Sequence, residues 1–264
     1  MSYHHLSYWD VLLAACLIFI NGAVSFALKL GLGRPLLIAS IRSCVQLGLI
    51  GFILKWVFAL NNLLIILLII SLMTVIAALS AKGRFEIIYR GIFADTLLAI
   101  LLPSWCILII GMLIILRIEP WYSPQYLIPM AGMIIGNVLT GVALVTERLL
   151  SELKDKQGQI EMQLSLGASP WEAYQDIARI ATRAGMLPTI HSMTVVGIVS
   201  LPGMMTGQIL AGQDPEQAVR YQIIVLFFLA SATALACIVV VYAIFKRAFS
   251  QLGVLRVEQF KVSQ

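Results

Sequence analysis

The chain has 264 residues, of which 60% are hydrophobic and only 12% are charged, and its mean hydropathy is +0.95. Apolar runs long enough to cross a bilayer recur throughout, which predicts a polytopic integral membrane protein and excludes a water-soluble domain. A pI near 9.1 does not indicate a nucleic-acid partner, because the basic residues are scattered at the ends of apolar runs, where they set orientation in the membrane.

Windows of about 20 residues predict seven membrane spans. Helices are expected rather than barrel strands, because the runs are continuous and do not alternate in polarity. The predicted fold class is therefore all-α, a polytopic membrane helix bundle formed by one transmembrane domain over residues 1–264. The spans cover residues 11–28, 35–56, 63–79, 91–116, 127–145, 187–211 and 223–245.

One polar segment interrupts this pattern. Glu147 to Arg183 comprises 37 residues and holds 11 of the 31 charged side chains. If this arm, taken as residues 147–186, is cytoplasmic, the N-terminus lies outside and the C-terminus inside. Fourteen Lys and Arg residues then lie inside and three outside, which is the asymmetry expected of a multi-pass protein of the inner (plasma) membrane.

The arm is expected to contain two helices. Residues 146–166 continue the fifth span as an amphipathic helix, and a turn at Gly167 should end it. Ser169, Pro170 and Glu172 have the spacing of an N-cap serine, a first-turn proline and a capping-box glutamate. This pattern predicts a second, short helix that begins at Pro170.

The sixth predicted span has a helix-breaking sequence near its middle. Pro202 followed by Gly203 should kink or break the helix and free carbonyl groups toward a cavity. Transporters often hold substrate at such breaks. Met204 and Met205 follow directly; a thioether is a soft, weak metal ligand, although methionine is more often a packing residue.

Two pairs of glycines have GxxxG spacing, Gly132 with Gly136 and Gly203 with Gly207. Small residues at this spacing allow helices to approach closely in a membrane. The fifth and sixth spans are therefore expected to pack together or at a dimer axis.

Few polar side chains lie within the predicted spans, and such residues usually face a bundle interior or a water-filled path. Arg42 lies two turns from the inner end of the second span, with Gln46 on the same face. They line a polar path or a subunit contact, or Arg42 extends to the headgroups; the sequence favours neither. Asn137 is expected to make an interhelical hydrogen bond rather than a ligand contact, and Asp95 is expected at the membrane interface.

Several motifs resemble the FetB family of ABC-transporter permeases, which includes bacterial iron exporters and plant proteins linked to aluminium tolerance. They span about residues 35–247 and comprise Arg42–Leu47, Ile128–Asn137, Leu164–Ala168, Val199–Gly207 and Asp214–Ile223. Glu161 followed by Gly167 also resembles the EAA signature of ABC permeases, the loop that docks in a groove of the ATPase subunit. Met162 and Gln163 replace the two alanines of that signature.

The resemblance implies a permease subunit that exports a metal ion, iron first, and is not itself an enzyme. The chain has no GxxxxGK[ST] sequence, so ATP and Mg²⁺ are expected on a separate ATPase subunit, with no cofactor or catalytic residue here. One arm per chain and two grooves in an ATPase pair imply a permease homodimer, with membrane lipid as a further partner. The ATPase-coupling residues would be Glu161, Leu166, Gly167, Ala168, Pro170 and Glu172.

One departure from the family pattern concerns the start of the sixth span. The family commonly has an aspartate and then a lysine there, whereas this chain has His191 and Thr194. A histidine could bind a borderline metal, with Met193 and Met204 as further candidate ligands. The commoner alternative is an interfacial histidine bonded to a backbone carbonyl. The candidate translocation path comprises Arg42, Gln46, Asn137, His191, Pro202, Gly203, Met204 and Met205.

A second class of function is a secondary transporter or channel driven by an ion gradient, in which the polar arm is regulatory. Such a protein needs ionisable groups at membrane depth, and beyond Arg42 there are few. An intramembrane hydrolase is disfavoured because HExxH and GxSxG are both absent.

Overall fold

The computed structural model describes residues 7–31, 33–60, 62–250 and 252–262. The helices are α1 (Tyr8–Ala27), α2 (Gly33–Leu60), α3 (Leu63–Lys82), α4 (Ile92–Ile110), α5 (Pro124–Asp155), α6 (Gln157–Ser165), α7 (Pro170–Val195), α8 (Gly203–Leu210) and α9 (Pro215–Ala248). A π-helical turn, Gly111–Ile115, extends α4, and a 3₁₀ turn covers Val257–Gln259. Strand β1 (Ile87–Ile88) pairs antiparallel with β2 (Lys261–Val262). The predicted all-α membrane bundle is confirmed.

The chain divides into two compact units, residues 1–62 and 63–264. The first is a hairpin of α1 and α2, whose side chains are largely exposed. A capping box starts α1: the Ser7 hydroxyl accepts a hydrogen bond from the Trp9 amide, and the Asp10 carboxylate accepts one from the Ser7 amide. The helices approach at Gly33, where a Cβ would lie 3.7 Å from the Gly22 carbonyl oxygen.

In the second unit, α5 and α7 approach closely at two glycines, and Thr233 and Cys237 of α9 pack beside them. A Cβ at Gly185 would lie 2.2 Å from Cγ2 of Val145 and 2.8 Å from the Gly141 carbonyl oxygen. A Cβ at Gly141 would lie 2.5 Å from Cγ2 of Thr233. Only glycine fits at both positions, so α5 and α7 touch backbone to backbone. Around this contact, α4 packs on α9, and α3 and α4 pack on α5.

The glycine pairs singled out in the sequence are not those that bring the helices together. A Cβ at Gly136, Gly203 or Gly207 would have no neighbour within 4 Å, and one at Gly132 would meet only the end of the flexible Met73 side chain. The close approach of the fifth span is instead to α7, through Gly141 and Gly185. Gly185 lies before the predicted sixth span, and neither glycine belongs to a GxxxG pair.

Within the described residues, six helices are long and apolar enough to cross a membrane, whereas seven spans were predicted. The difference is segment 187–211, which consists of the end of α7, an irregular loop and the short α8. The helix that starts at Pro170 does not stop after the polar arm but continues through Pro188 to Val195. A proline inside a helix removes one hydrogen bond but keeps a helical φ, which a membrane helix tolerates.

The second unit has two ends, which we name for orientation. The arm end holds the turn between α6 and α7, and the far end holds the first residues of α5 and α9. From the Gly141–Gly185 contact toward the far end, α7 rises about 15 Å before it ends at Val195, whereas α5 extends about 25 Å. The helix break therefore lies about 10 Å inside the far end.

Gly185→Ala should destabilise the folded protein by about 1–3 kcal/mol or more, because the new methyl group meets helix backbone that cannot move aside. Gly136→Ala, in open space on α5, is the matched control and should be neutral or slightly stabilising. Thermal unfolding of both variants in the same detergent tests this prediction. Equal melting temperatures for the two variants would contradict the contact.

Candidate functional site: the polar arm and the helix break

A Schellman motif closes the turn between α6 and α7. The Ala168 amide donates to the Gln163 carbonyl at 3.0 Å, and the Gly167 amide donates to the Leu164 carbonyl at 3.0 Å. Gly167 has φ +93°, a conformation that any side chain disfavours. The turn predicted at this glycine is therefore present, with a fixed geometry.

The capping box predicted for α7 is also present. The Ser169 hydroxyl accepts a hydrogen bond from the Glu172 amide, and the Glu172 carboxylate accepts bonds from the Ser169 amide and hydroxyl, each at 2.7 Å. These bonds hold the pKa of Glu172 below its ordinary value, and the bond from the backbone amide has the larger effect. Because the cap and the Schellman motif are consecutive, the direction of α7 is fixed from its first residue.

The arm presents apolar side chains beside this turn. Leu166 is 80% exposed and Met162 58% exposed, and Trp171 on the first turn of α7 is exposed as well. Glu161 is exposed and accepts a hydrogen bond from Nε2 of Gln157 at 2.8 Å. The six residues predicted to couple to an ATPase thus lie on α6, the turn and the start of α7.

The C-terminal segment packs against this turn, a contact that no sequence motif indicates. A Cβ at Gly253 would lie 3.2 Å from Cγ of Pro170. Residues 252–255 and the turn enclose a groove of about 490 Å³, with Glu161 and Leu164 on its other side. The arm surface is therefore composite, since the segment after α9 forms part of it.

An aromatic cluster joins the start of α7 to the end of α9. Tyr174 is fully buried, and its hydroxyl donates to the Val241 carbonyl at 2.8 Å. Its ring lies 5.2 Å from that of Phe245 and 6.0 Å from that of Phe249, and Trp171 lies 5.3 Å from Phe245. Burial raises the pKa of Tyr174 well above its ordinary value. The arm is therefore packed onto the bundle along its second helix.

The break that follows α7 spans residues 196–202 and is longer than a proline kink. Gly197 has φ +82°, and its amide donates to the Ser200 carbonyl at 2.9 Å. Pro202 is extended (ψ 141°) and directly precedes α8. The interruption predicted at Pro202 and Gly203 is present. Ile198 (89%) and Val199 (79%) are among the most exposed apolar residues of the unit.

The side chains proposed as metal ligands lie on both sides of this break. His191 is exposed near the end of α7, Met193 and Met204 are partly buried, and Met205 on α8 is buried. In the part of the chain that the structure describes, no group of three or more His, Cys, Asp or Glu residues could hold a metal ion.

Of the other predicted path residues, Asn137 lies on α5, and Arg42 and Gln46 lie on α2 in the first unit. Nδ2 of Asn137 donates to the Met133 carbonyl at 3.1 Å within its own helix, so the expected interhelical bond from this amide group is not formed. The backbone carbonyl one turn earlier satisfies the donor locally. Arg42 and Gln46 are both exposed.

The structure also contains a buried ion pair that the sequence did not indicate. Asp95, at the first turn of α4, is only 7% exposed. Its carboxylate accepts hydrogen bonds from Nε and Nη2 of Arg247, at 3.1 and 3.2 Å, and from the Tyr89 hydroxyl at 3.0 Å. An acid in the first turn of one span and a base in the last turn of another were the available signal, but they lie 152 residues apart.

Comparison with known proteins decides the family. The model of the uncharacterised protein family UPF0014 matches residues 8–249. The chain belongs to this family. It is 34% identical to the probable iron export permease protein FetB of Escherichia coli over 99% of both chains. It is 39% identical to a UPF0014 membrane protein of Synechocystis over 84% of this chain and 86% of the relative.

A plant relative extends the comparison. The chain is 30% identical to the protein ALUMINUM SENSITIVE 3 of Arabidopsis thaliana, over 94% of this chain and 90% of the relative. The resemblance to the FetB family and its plant relatives is thereby confirmed. No solved structure matches the chain.

The depressed pKa of Glu172 predicts a pH-dependent cap. A carboxylate whose pKa is lowered on folding contributes stability that is complete above its ordinary value of 4.5 and is lost as the pH falls through the folded value. The melting temperatures of the wild type and Glu172→Ala should therefore differ at pH 7 and converge in acid. In a Ser169→Ala background the difference should be smaller but should keep its pH dependence, because the backbone amide of residue 169 still donates to the carboxylate. A pH-independent difference would contradict the capping geometry.

Proposed function

We propose that this chain is the permease subunit of an ABC transporter that exports a metal ion, iron first, driven by ATP hydrolysis in a separate ATPase subunit. The observation that carries the proposal is the rigid turn at Gly167 with the exposed Leu166, Met162 and Trp171 around it. Exposed apolar side chains on a polar arm are typical of a protein-binding surface. The name of the E. coli relative supports the cargo and the direction.

The proposed transmission of movement follows from the continuity of α7. The helix starts at the capped turn and runs 26 residues without interruption to the break. Tyr174 anchors it to α9 near the turn, and Gly185 anchors it to α5 further along. If an ATPase displaced the turn, the movement would therefore reach residues 196–202, where α7 has ended.

The proposed orientation puts the arm end in the cytoplasm and the far end outside the inner (plasma) membrane. Basic residues cluster at the arm end, as the positive-inside rule requires. In the second unit they are Lys82, Arg84, Arg90, Arg148, Lys154, Lys156, Arg179, Arg183, Lys246, Arg247 and Arg256 at or near the arm end, against Arg117 and Arg220 at the far end. The proposed outside N-terminus and cytoplasmic C-terminus themselves lie beyond the described residues.

A homodimer of permeases with two ATPase subunits is the proposed assembly. Irregular backbone at membrane depth is tolerated where protein covers it or where it lines a water-filled path. Ile198 and Val199 are exposed at the break, about 10 Å inside the far end. A second copy that covers this segment would satisfy the requirement and form a path beside it, with His191, Met193 and Met204 as transient contacts for the cargo.

Leu166→Glu should abolish co-purification of the ATPase with this chain from native membranes in mild detergent, because a charge replaces the most exposed apolar side chain of the turn. Leu166→Met keeps an apolar side chain and is the matched control, which should retain the ATPase. Immunoblotting of the purified samples and their ATPase rates are the measurements. A wild-type chain that brings down no ATPase yet still transports would favour a gradient-driven carrier.

Cells that lack this protein should accumulate more of one transition metal, iron first, because export would be lost. Complementation with the wild type should restore the metal content, and complementation with Leu166→Glu should not. Inductively coupled plasma mass spectrometry of washed cells gives the metal contents. Unchanged content of every metal would contradict the proposed cargo.

A further inference from the structure

Three arginines converge on one cavity at the arm end. The cavity has a volume of about 860 Å³, and Arg90, Arg247 and Arg256 line it together with Tyr89 and Gln259. The loop before α4, the end of α9 and the C-terminal segment supply these residues. The cavity is therefore formed by three separate parts of the chain and not by one face of a single helix.

Arg247 is held in place by the buried Asp95. Both carboxylate oxygens accept from Arg247, through Nε and Nη2, and the Tyr89 hydroxyl adds a third bond. Gly91, at φ +102°, lets the guanidinium lie against the backbone, since a Cβ there would be 2.9 Å from Nη2. Nη1 of Arg247 has no carboxylate partner among the described residues. The guanidinium is therefore preoriented with one edge available.

The C-terminal segment brings the other side of the cavity into place. The Arg256 amide donates to the Ala248 carbonyl at 2.7 Å, and the 3₁₀ turn that ends at Gln259 follows. The Phe260 ring then packs edge-on against Tyr89 at 5.7 Å, and β2 pairs with β1. The segment is thus fastened on both sides of Arg256.

The cavity carries excess positive charge. Arg90 and Arg256 make no ion pair within the described residues, and Asp95 pairs with Arg247 alone. Glu86 and Glu258 are close in sequence but do not line the cavity. Three guanidinium groups and one carboxylate leave a net charge of about +2, which calls for an anion.

The level of the cavity along the membrane-spanning helices indicates which kind of anion it binds. It lies where α4 begins and α9 ends, and both helices belong to segments long and apolar enough to cross a membrane, Ile92–Ile115 and Pro215–Ala248. This is the level of lipid headgroups. Arginine binds phosphate oxygens with paired hydrogen bonds, and basic pockets between spans on the cytoplasmic side bind anionic headgroups. We propose that this cavity binds the phosphate group of an anionic phospholipid.

A bound phospholipid would tie α4, α9 and the C-terminal segment together. That segment also packs on Pro170 at the arm turn, so the headgroup would stabilise the surface around the arm. The proposal does not depend on an ATPase partner or on the cargo.

The test compares lipid binding by the full-length wild type and an Arg90→Gln/Arg256→Gln variant in detergent. Phosphatidylglycerol should remain bound in native mass spectrometry and raise the melting temperature of the wild type, whereas phosphatidylcholine should not. The variant should lose about 30-fold in affinity for phosphatidylglycerol. Lys82→Gln/Arg84→Gln removes the same charge at the end of α3, outside the cavity, and should bind as the wild type does.

Further variants and ligands distinguish this proposal from its alternatives. Arg90→Lys/Arg256→Lys keeps the charge but not the paired hydrogen bonds, so its affinity should fall between those of the Gln variant and the wild type. A lipid-free melting temperature of the Gln variant equal to that of the wild type would show that its loss of binding is not misfolding. Equal loss in the Lys82 and Arg84 control would overturn the proposal, because surface charge in general would then account for binding. So would full stabilisation by inorganic phosphate with no effect of phosphatidylglycerol. Loss of a bound protein subunit, with lipid binding unchanged, would assign the cavity to a protein contact instead.

Discussion

The backbone contact between Gly141 and Gly185 is the constraint on which the rest of the second unit depends. A methyl group at Gly185 would lie 2.2 Å from Val145, and the α9 side chain of Thr233 fills the space beside Gly141. In a membrane, where lipid tails compete with apolar side chains, close approach of small residues gives helices their specific association. This contact sets the spacing of α5, α7 and α9, and therefore where the polar arm leaves the bundle and where α7 stops.

The arm is consequently a continuation of the bundle and not a flexible loop. Its turn is fixed by Gly167 and by the Ser169 capping box, and Tyr174 fastens its second helix to α9. The end of α9 is in turn fixed by the pair of Arg247 with the buried Asp95. In the function we propose, α7 is thus one continuous helix that connects the docking turn to the break at residues 196–202.

The sequence predicted the features that depend on residues close together in the chain. The apolar runs predict the long helices, Gly167 predicts the turn, Ser169 with Glu172 predicts the cap, and Pro202 predicts the break. What it did not predict depends on partners distant in the chain. The Gly141–Gly185 contact has no spacing motif, Asp95 and Arg247 lie 152 residues apart, and nothing in residues 252–255 indicates that they pack on the arm. The second arm helix was expected to be short, with a separate span from residue 187; α7 instead runs unbroken through Pro188 to Val195, held by tertiary packing on α5 and α9.

The most direct test of this account is the distance between spin labels at Gln175 and Thr194 in a complex with the proposed ATPase, measured by double electron–electron resonance. Both residues are exposed on α7, and neither belongs to the proposed docking surface. A straight helix puts them about 28 Å apart, and Leu210 on α8 provides a third label beyond the break. We predict that the 175–194 distance stays constant between nucleotide-free and ATP-trapped states, while the 175–210 distance changes. A change in the 175–194 distance with a constant position of Leu210 relative to Thr194 would show that α7 bends, and would contradict transmission through a rigid helix.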